Sequence, residues 1–176
     1  MKPILYPATE KDYTTNGLGV MADAISCRAV EERNGGYELT LEYPQSGIHY
    51  DELKMERILL AKANPTADTQ PFRIYRITRP MSGRVNVYAQ HISYDLSGVP
   101  VTPFTAESAA AAMAGIESNA AIANDFRFMT DKSTVANFNV SKPKSVRACL
   151  GGSEGSMLDV YGGELEFDRD RVILTG

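Results

Sequence analysis

The sequence predicts a mainly β fold with some α (α+β): a small antiparallel β-barrel-like domain over residues 1–98, then a second α+β domain over residues 99–176. Three observations carry this expectation. Residues 37–43 and 85–89 alternate apolar and polar side chains with the period of two of a half-buried strand. Asn34-Gly35-Gly36 and Met81-Ser82-Gly83 punctuate those runs with tight turns. Beyond Pro100 and Pro103 the pattern changes to a small-residue helix and short strands.

Taken in order, residues 4–6 read as a short first strand and a polar loop passes through Asn16-Gly17. A strand over 24–33 places Ile25, Cys27 and Ala29 on one face. After the Asn-Gly turn the chain returns with Tyr37, Leu39, Leu41 and Tyr43 on one face and Glu38, Thr40 and Glu42 on the other, a β-hairpin. Pro44 ends it, because proline cannot donate to a ladder. Residues 51–56 read as one or two helical turns with acidic residues at the start. Residues 57–63 read as a buried strand, and 64–70 as a polar loop.

In the next strand Phe72 and Ile74 share one face while Tyr75 and Ile77 take the other, which reads as a bulge or as two-sided burial near Ile74. Val85, Val87 and Ala89 follow on one face of its partner, against Arg84, Asn86, Tyr88 and Gln90. About six strands in all form a small barrel or curled sheet. In the second half Thr105 is the expected N-cap of a helix reaching Ser118, with Glu107 in its first turn and Ala109 to Ala112 packing closely. Residues 126–129 and 135–140 read as strands. Ser141 is the expected cap of a helix ending at Gly151, with Pro143 in its first turn, and Ser156 starts another. Leu165 and Phe167 alternate in a strand, residues 168–170 turn, and 172–174 form the last strand. The chain stops just after it, so the second domain is expected to be truncated at its C-terminal end.

At 176 residues the chain has room for one large domain or two small ones, and its net charge of −4 carries no basic stripe. Specific nucleic-acid binding is not expected. No apolar run approaches the ~20 residues of a membrane span, and no signal peptide precedes the first strand. Synthesis in a cytoplasm, as a soluble chain, is the expectation.

Candidate chemistry is sparse. Residues 151–156 (GGSEGS) are glycine-rich but lack the lysine of a phosphate-binding loop and carry Glu154 instead, so they read as a connection between two helices. His49 and His91 are the only histidines, and neither has neighbours at metal-ligand spacing. His91 continues the buried face of its strand, with Asp95 as one candidate partner. Cys27 and Cys149 read as reduced core residues. A dyad of His with Cys149 or a serine is not demanded by any spacing. Glu31, Glu32, Glu164, Glu166, Asp168 and Asp170 read as solvated, with surface ion pairs to Arg33, Arg169 and Arg171. Nothing passes as a catalytic, cofactor-binding or metal-binding set, so none is expected. Tyr75, Tyr88 and Tyr94 crowd one block and read either as sheet core or as an interface.

That block, PFRIYRI with YAQHISYDLSG (residues 88–98), together with ILYPAT, TTNGLGVMADAISCRAVEERNGGYELTLEYP and SVRACLGGSEGSMLDVYGGELEFDRD, resembles the N-terminal region of the phage minor structural protein family. These are prophage tail-tip proteins, also called endopeptidase tail proteins or tail-associated lysins. The resemblance spans nearly the whole chain, whereas members are usually much longer. It implies a fold similar to the baseplate hub protein of contractile-tailed phages. It also implies a homotrimeric ring at the distal end of the tail tube that adapts six-fold to three-fold symmetry and opens for DNA passage. The implied partners are copies of itself, the distal tail protein and other tail-tip or tail-tube proteins. The implied location is the virion tail tip, after synthesis in the bacterial host cytoplasm. Peptidoglycan hydrolysis in longer members belongs to C-terminal regions absent here, so no enzyme activity or cofactor is expected. The competing expectations are a cell-wall endopeptidase or muramidase, and a host-surface receptor-binding module.

Overall fold

The hairpin around Asn34 sits at one edge of a seven-stranded sheet. The computed structural model describes residues 2–80 and 82–176, and the chain divides into two units, Met1–Ile92 and Ser93–Gly176. Among the described residues the first unit contains β1 (Ile4–Tyr6), β2 (Gly19–Val20), β3 (Ser26–Glu31), β4 (Tyr37–Pro44), β5 (Ile58–Lys62), β6 (Thr69–Thr78) and β7 (Arg84–His91). They form one sheet in the order β2-β1-β5-β6-β7-β4-β3, with every neighbouring pair antiparallel.

The connectivity explains why this sheet curls into a half-barrel. Its two edge strands, β2 and β3, are consecutive in sequence, with only residues 21–25 between them. Neighbouring strands lie about 4.8 Å apart, so a flat sheet would separate its edges by about 29 Å. The intervening chain spans at most about 20 Å. The sheet must bend until its edges approach. The link extends the pairing at both ends: Met21 N–H donates to Pro3 O and Ile25 N–H to Glu42 O, each at 2.9 Å. Met21 and Ala24 are buried.

The loop after β4 packs along the same seam. Tyr43 Oη donates to Ile48 O at 2.6 Å, and Ile48 N–H donates to the Asp23 carboxylate at 2.8 Å. The His49 imidazole occupies the space a Cβ on Gly19 would take, and Gly19 has φ 147°. Only glycine fits there.

Alternation predicts the burial closely. Tyr37, Leu39, Leu41 and Tyr43 are buried, as are Val85, Val87 and Ala89. The bulge lies where the pattern shifts: Ile74 pairs with Ala89 but Arg76 with Tyr88, leaving Tyr75 as the extra residue. Other details differ. β2 is two residues long and has no periodicity to read. β3 is shorter than 24–33, and Ile25 is 47% exposed because the strand lies at an edge. The helical turns expected over 51–56 reduce to a 3-10 turn, Tyr50–Glu52, and Glu56 takes φ 69° just before β5. Thr69 and Gln70, expected in a loop, already pair with Lys62 and Ala61. In the turn before β7, Gly83 takes φ 73°; Met81 lies outside the described residues.

The second unit opens within a 3-10 helix (Ile92–Gly98) and contains β8 (Pro100–Val101), β9 (Phe104–Ser108), α1 (Ala109–Ser118), β10 (Arg127–Thr130), β11 (Val135–Val140) and β12 (Lys144–Ser145). It ends with α2 (Val146–Leu150), α3 (Met157–Tyr161), β13 (Glu164–Asp168) and β14 (Arg171–Thr175). β10, β14 and β13 form a three-stranded sheet in which β10 runs parallel to β14. β9 pairs with β11 and β8 with β12, both antiparallel. Ala109, Ala112, Met113 and Ile116 of α1 pack into one core with Phe138, Leu150, Met157 and Leu174. Leu96 and Val99 belong to that core too, and the units divide ahead of residue 98.

Two helix starts lie later than predicted, for one reason. Thr105 does not cap α1, because residues 104–108 stay extended to pair with β11; Ser108 caps instead, its Oγ accepting from Ala111 N–H at 3.2 Å. Ser141 does not cap α2, because Lys144 and Ser145 pair with β8; Ser145 Oγ accepts from Ala148 N–H at 3.1 Å. Both serines supply the usual N-cap oxygen. A cross-strand ladder displaced the nearer cap. Ser156 caps α3 as the sequence predicts.

Candidate functional site

His91 points into the first unit's core and is 0% exposed. Its ring stacks on Tyr37 with centroids 4.8 Å apart and meets the edge of Phe72 at 5.8 Å. Nε2 lies 3.1 Å from Gln70 Oε1, a partner that sequence reasoning did not single out. His49 is half-buried against Gly19, and its position closes the seam.

The cysteines are free. Burial pushes the Cys27 thiol up to about 11 and also raises Cys149. Both are held as neutral thiols at pH 7, and the thiolate is the nucleophilic form. Cys149 lies in the core, whereas Cys27 is only half-buried because β3 is an edge strand. Among the described residues no three His, Cys, Asp or Glu side chains gather to hold a metal ion.

The glycine-rich loop joins α2 to α3. Gly151 ends α2, Ser156 starts α3, and Gly152 and Gly155 take φ 83° and 74°. Gly155 N–H donates to the Asp159 carboxylate at 2.7 Å. The chain's own anion thus takes a donor that a phosphate would need.

Of the carboxylates, Asp168 pairs with Arg171, Glu42 with Arg84 at 2.9 Å, and Glu52 with Arg57. The Arg57 guanidinium holds the Glu52 carboxyl below its ordinary range. In the second unit an open cleft of about 500 Å³ is lined by Glu117, Asn124, Asp125, Phe126, Arg127 and Asp170, among others. Arg127 lies 3.5 Å from Glu117. This polar, acidic hollow holds no nucleophile–base pair.

The tyrosines separate. Tyr75 rides on the bulge, 37% exposed. The Arg76 guanidinium covers Tyr88 at 4.0 Å, and the Arg147 guanidinium covers Tyr94 at 3.8 Å. Arg147 also lies 5.3 Å from the Phe167 ring, and its Nη1 donates to Ser93 Oγ at 3.2 Å. Sequence reasoning missed this aromatic-flanked cation. Its readable signal is a stretch from Lys132 to Ser153 that holds Lys142, Lys144 and Arg147 without one carboxylate.

Among the described residues no helix is long and apolar enough to cross a membrane. No known family profile matches this sequence, and no curated protein does. The fold does match a crystal structure, that of prophage tail protein gp18 from Listeria monocytogenes EGD-e, with a TM-score of 0.64 and 14% identity. The alignment covers 99% of this chain and 50% of that one, so the chain spans half the length of that protein. At such identity the likeness is one of fold.

Proposed function

We propose that this chain is a structural subunit of a phage or prophage tail, a hub protein at the distal end of the tail tube. The observation that carries the reading is fold similarity to a prophage tail protein over 99% of the chain. The subunit joins two other copies in a ring that continues the tube and opens for DNA passage, and the ring binds the distal tail protein and other tail-tip or tube proteins. A half-barrel closed by its own connectivity is a rigid unit suited to such a ring. A ring of this kind is built from heterologous contacts, each copy using two different surfaces. In this reading the chain performs no chemistry of its own.

Gold-labelled antibody against the purified chain, applied to induced phage particles in the electron microscope, tests the location. Label at the distal tail end is expected; label on capsids, or on no particle, would overturn the reading. Incubation with labelled peptidoglycan tests the absence of chemistry, and released fragments would make the chain an enzyme instead.

A further inference from the structure

We propose that Arg147 is a docking point for an Asp or Glu side chain presented by a second copy of this chain. The inference deepens the assembly reading above and rests on it for the choice of occupant.

Arg147 is held in place before any partner arrives. Its guanidinium lies over the Tyr94 ring at 3.8 Å and 5.3 Å from the Phe167 ring, and donates to the hydroxyl of Ser93, itself 0% exposed. Guanidinium stacking on aromatic faces fixes the plane of the fork and leaves the edge with its remaining donors. A guanidinium has five N–H donors, and the hydroxyls of Ser93 and Tyr94 do not take them all. Burial also works against the charge, lowering the affinity of Arg147 for its proton.

What the cation lacks is a counter-charge. Among the described residues no ion pair includes Arg147, Lys142 or Lys144, and the chain has no Asp or Glu between Asp131 and Glu154. Half-desolvated charges are costly unless paired. A carboxylate is the group whose two oxygens match the guanidinium fork. An arginine set among aromatic rings is also the composition of an interface hot spot.

Charge complementarity selects the occupant. Acidic residues outnumber Lys and Arg by 22 to 18, so every copy brings surplus carboxylates. A nucleic-acid backbone would meet a net charge of −4 and only two lysines beside Arg147. One copy's arginine on another copy's carboxylate, from a different surface, is the heterologous contact a ring needs.

Light scattering coupled to size exclusion tests this on the full chain, its R147Q variant and its R147K variant, over a concentration series at low and high salt. The wild type is expected to exceed 19.2 kDa at low salt and to lose mass as salt rises. R147Q should need at least ~10-fold more protein to associate and lose the salt response. R147K, which keeps the charge but not the fork, should fall between. Circular dichroism checks folding; if R147Q is unfolded, R147K decides alone. A wild type that stays monomeric overturns the proposal, as does a folded variant that associates like the wild type. A monomer whose antibody still labels the distal tail defeats this inference and leaves the tail reading intact. Salt-sensitive, Arg147-dependent assembly without any tail label does the reverse.

Discussion

Gly115 lies inside α1, where helix propensity alone favours alanine by about 1 kcal/mol. The fold reverses that preference, because a Cβ at 115 would occupy the Phe104 ring. Gly115→Ala is therefore expected to destabilise the chain by about 1–3 kcal/mol through overpacking. Denaturant unfolding measures it, and a stabilised variant would show that the ring moves aside freely. Cys27 offers a pH-dependent test at the same scale. Its folded value of about 11 stands above the ordinary 9.0 because burial disfavours the thiolate. The folded chain thus holds this proton more tightly than the unfolded one. Its contribution is complete below about pH 9 and is lost as pH rises through about 11. Ellman's reagent at pH 8 should label native protein far more slowly than protein in urea, and equal rates would mean that the thiol is not shielded. Neither residue announces its role in the sequence. Gly115 looks like a helix weakness, and Cys27 like any small apolar residue.

Among the elements, those with a strong period were legible and those made by a partner were not. β4 and β7 could be read in phase and within a residue or so of their ends, because each buries one face and a one-residue slip would expose it. A bulge was one of two readings of the phase change near Ile74, and the ladder decides for it by leaving Tyr75 as the extra residue. β2, β8 and β12, each two residues long, carry no period and exist because a neighbour pairs with them. The β3–β4 turn shows what the sequence specifies about a connection. Asn34 alone takes the positive φ, at 54°, while Gly35 N–H donates back to Glu32 O at 2.9 Å. Asparagine tolerates that region and a β-branched residue does not. Asn34→Val is expected to cost about 1–3 kcal/mol and Asn34→Gly almost nothing. Thermal melts of the pair check this, and equal stability would place the strain elsewhere.

At the scale of the whole chain, we propose that the second unit folds by itself when it begins at Ser93. A cut at 99, where the prolines suggest a boundary, removes Leu96 from the core and Ser93 and Tyr94 from Arg147. Burying a leucine side chain contributes about 1.5–3 kcal/mol. The fragment 93–176 should therefore unfold cooperatively in urea and at a clearly higher midpoint than 99–176. Matching midpoints would mean that residues 93–98 contribute nothing to this core. Of the candidate chemistry, the sequence displays two histidines and two cysteines without ligand spacing before any folding. The Arg147 cluster is not legible there, since Ser93 with Tyr94, Arg147, and Phe167 come from three segments far apart in sequence.

Sequence alone specified the α+β class, the hairpin at Asn34, the strands of period two and the Ser156 cap. Each depends on side-chain periodicity or local backbone geometry, which a short window contains. The tertiary structure decided that residues 104–108 and 144–145 stay extended, displacing caps at Thr105 and Ser141. It decided that β10 runs parallel to β14, and that consecutive strands become opposite edges of one sheet. It also decided which cation lies against aromatic rings and, among the described residues, outside every ion pair. The physical reason is common to all of these. A backbone hydrogen bond or a ring face supplied from far along the chain outweighs a local preference worth about 1 kcal/mol, and no local window contains that partner.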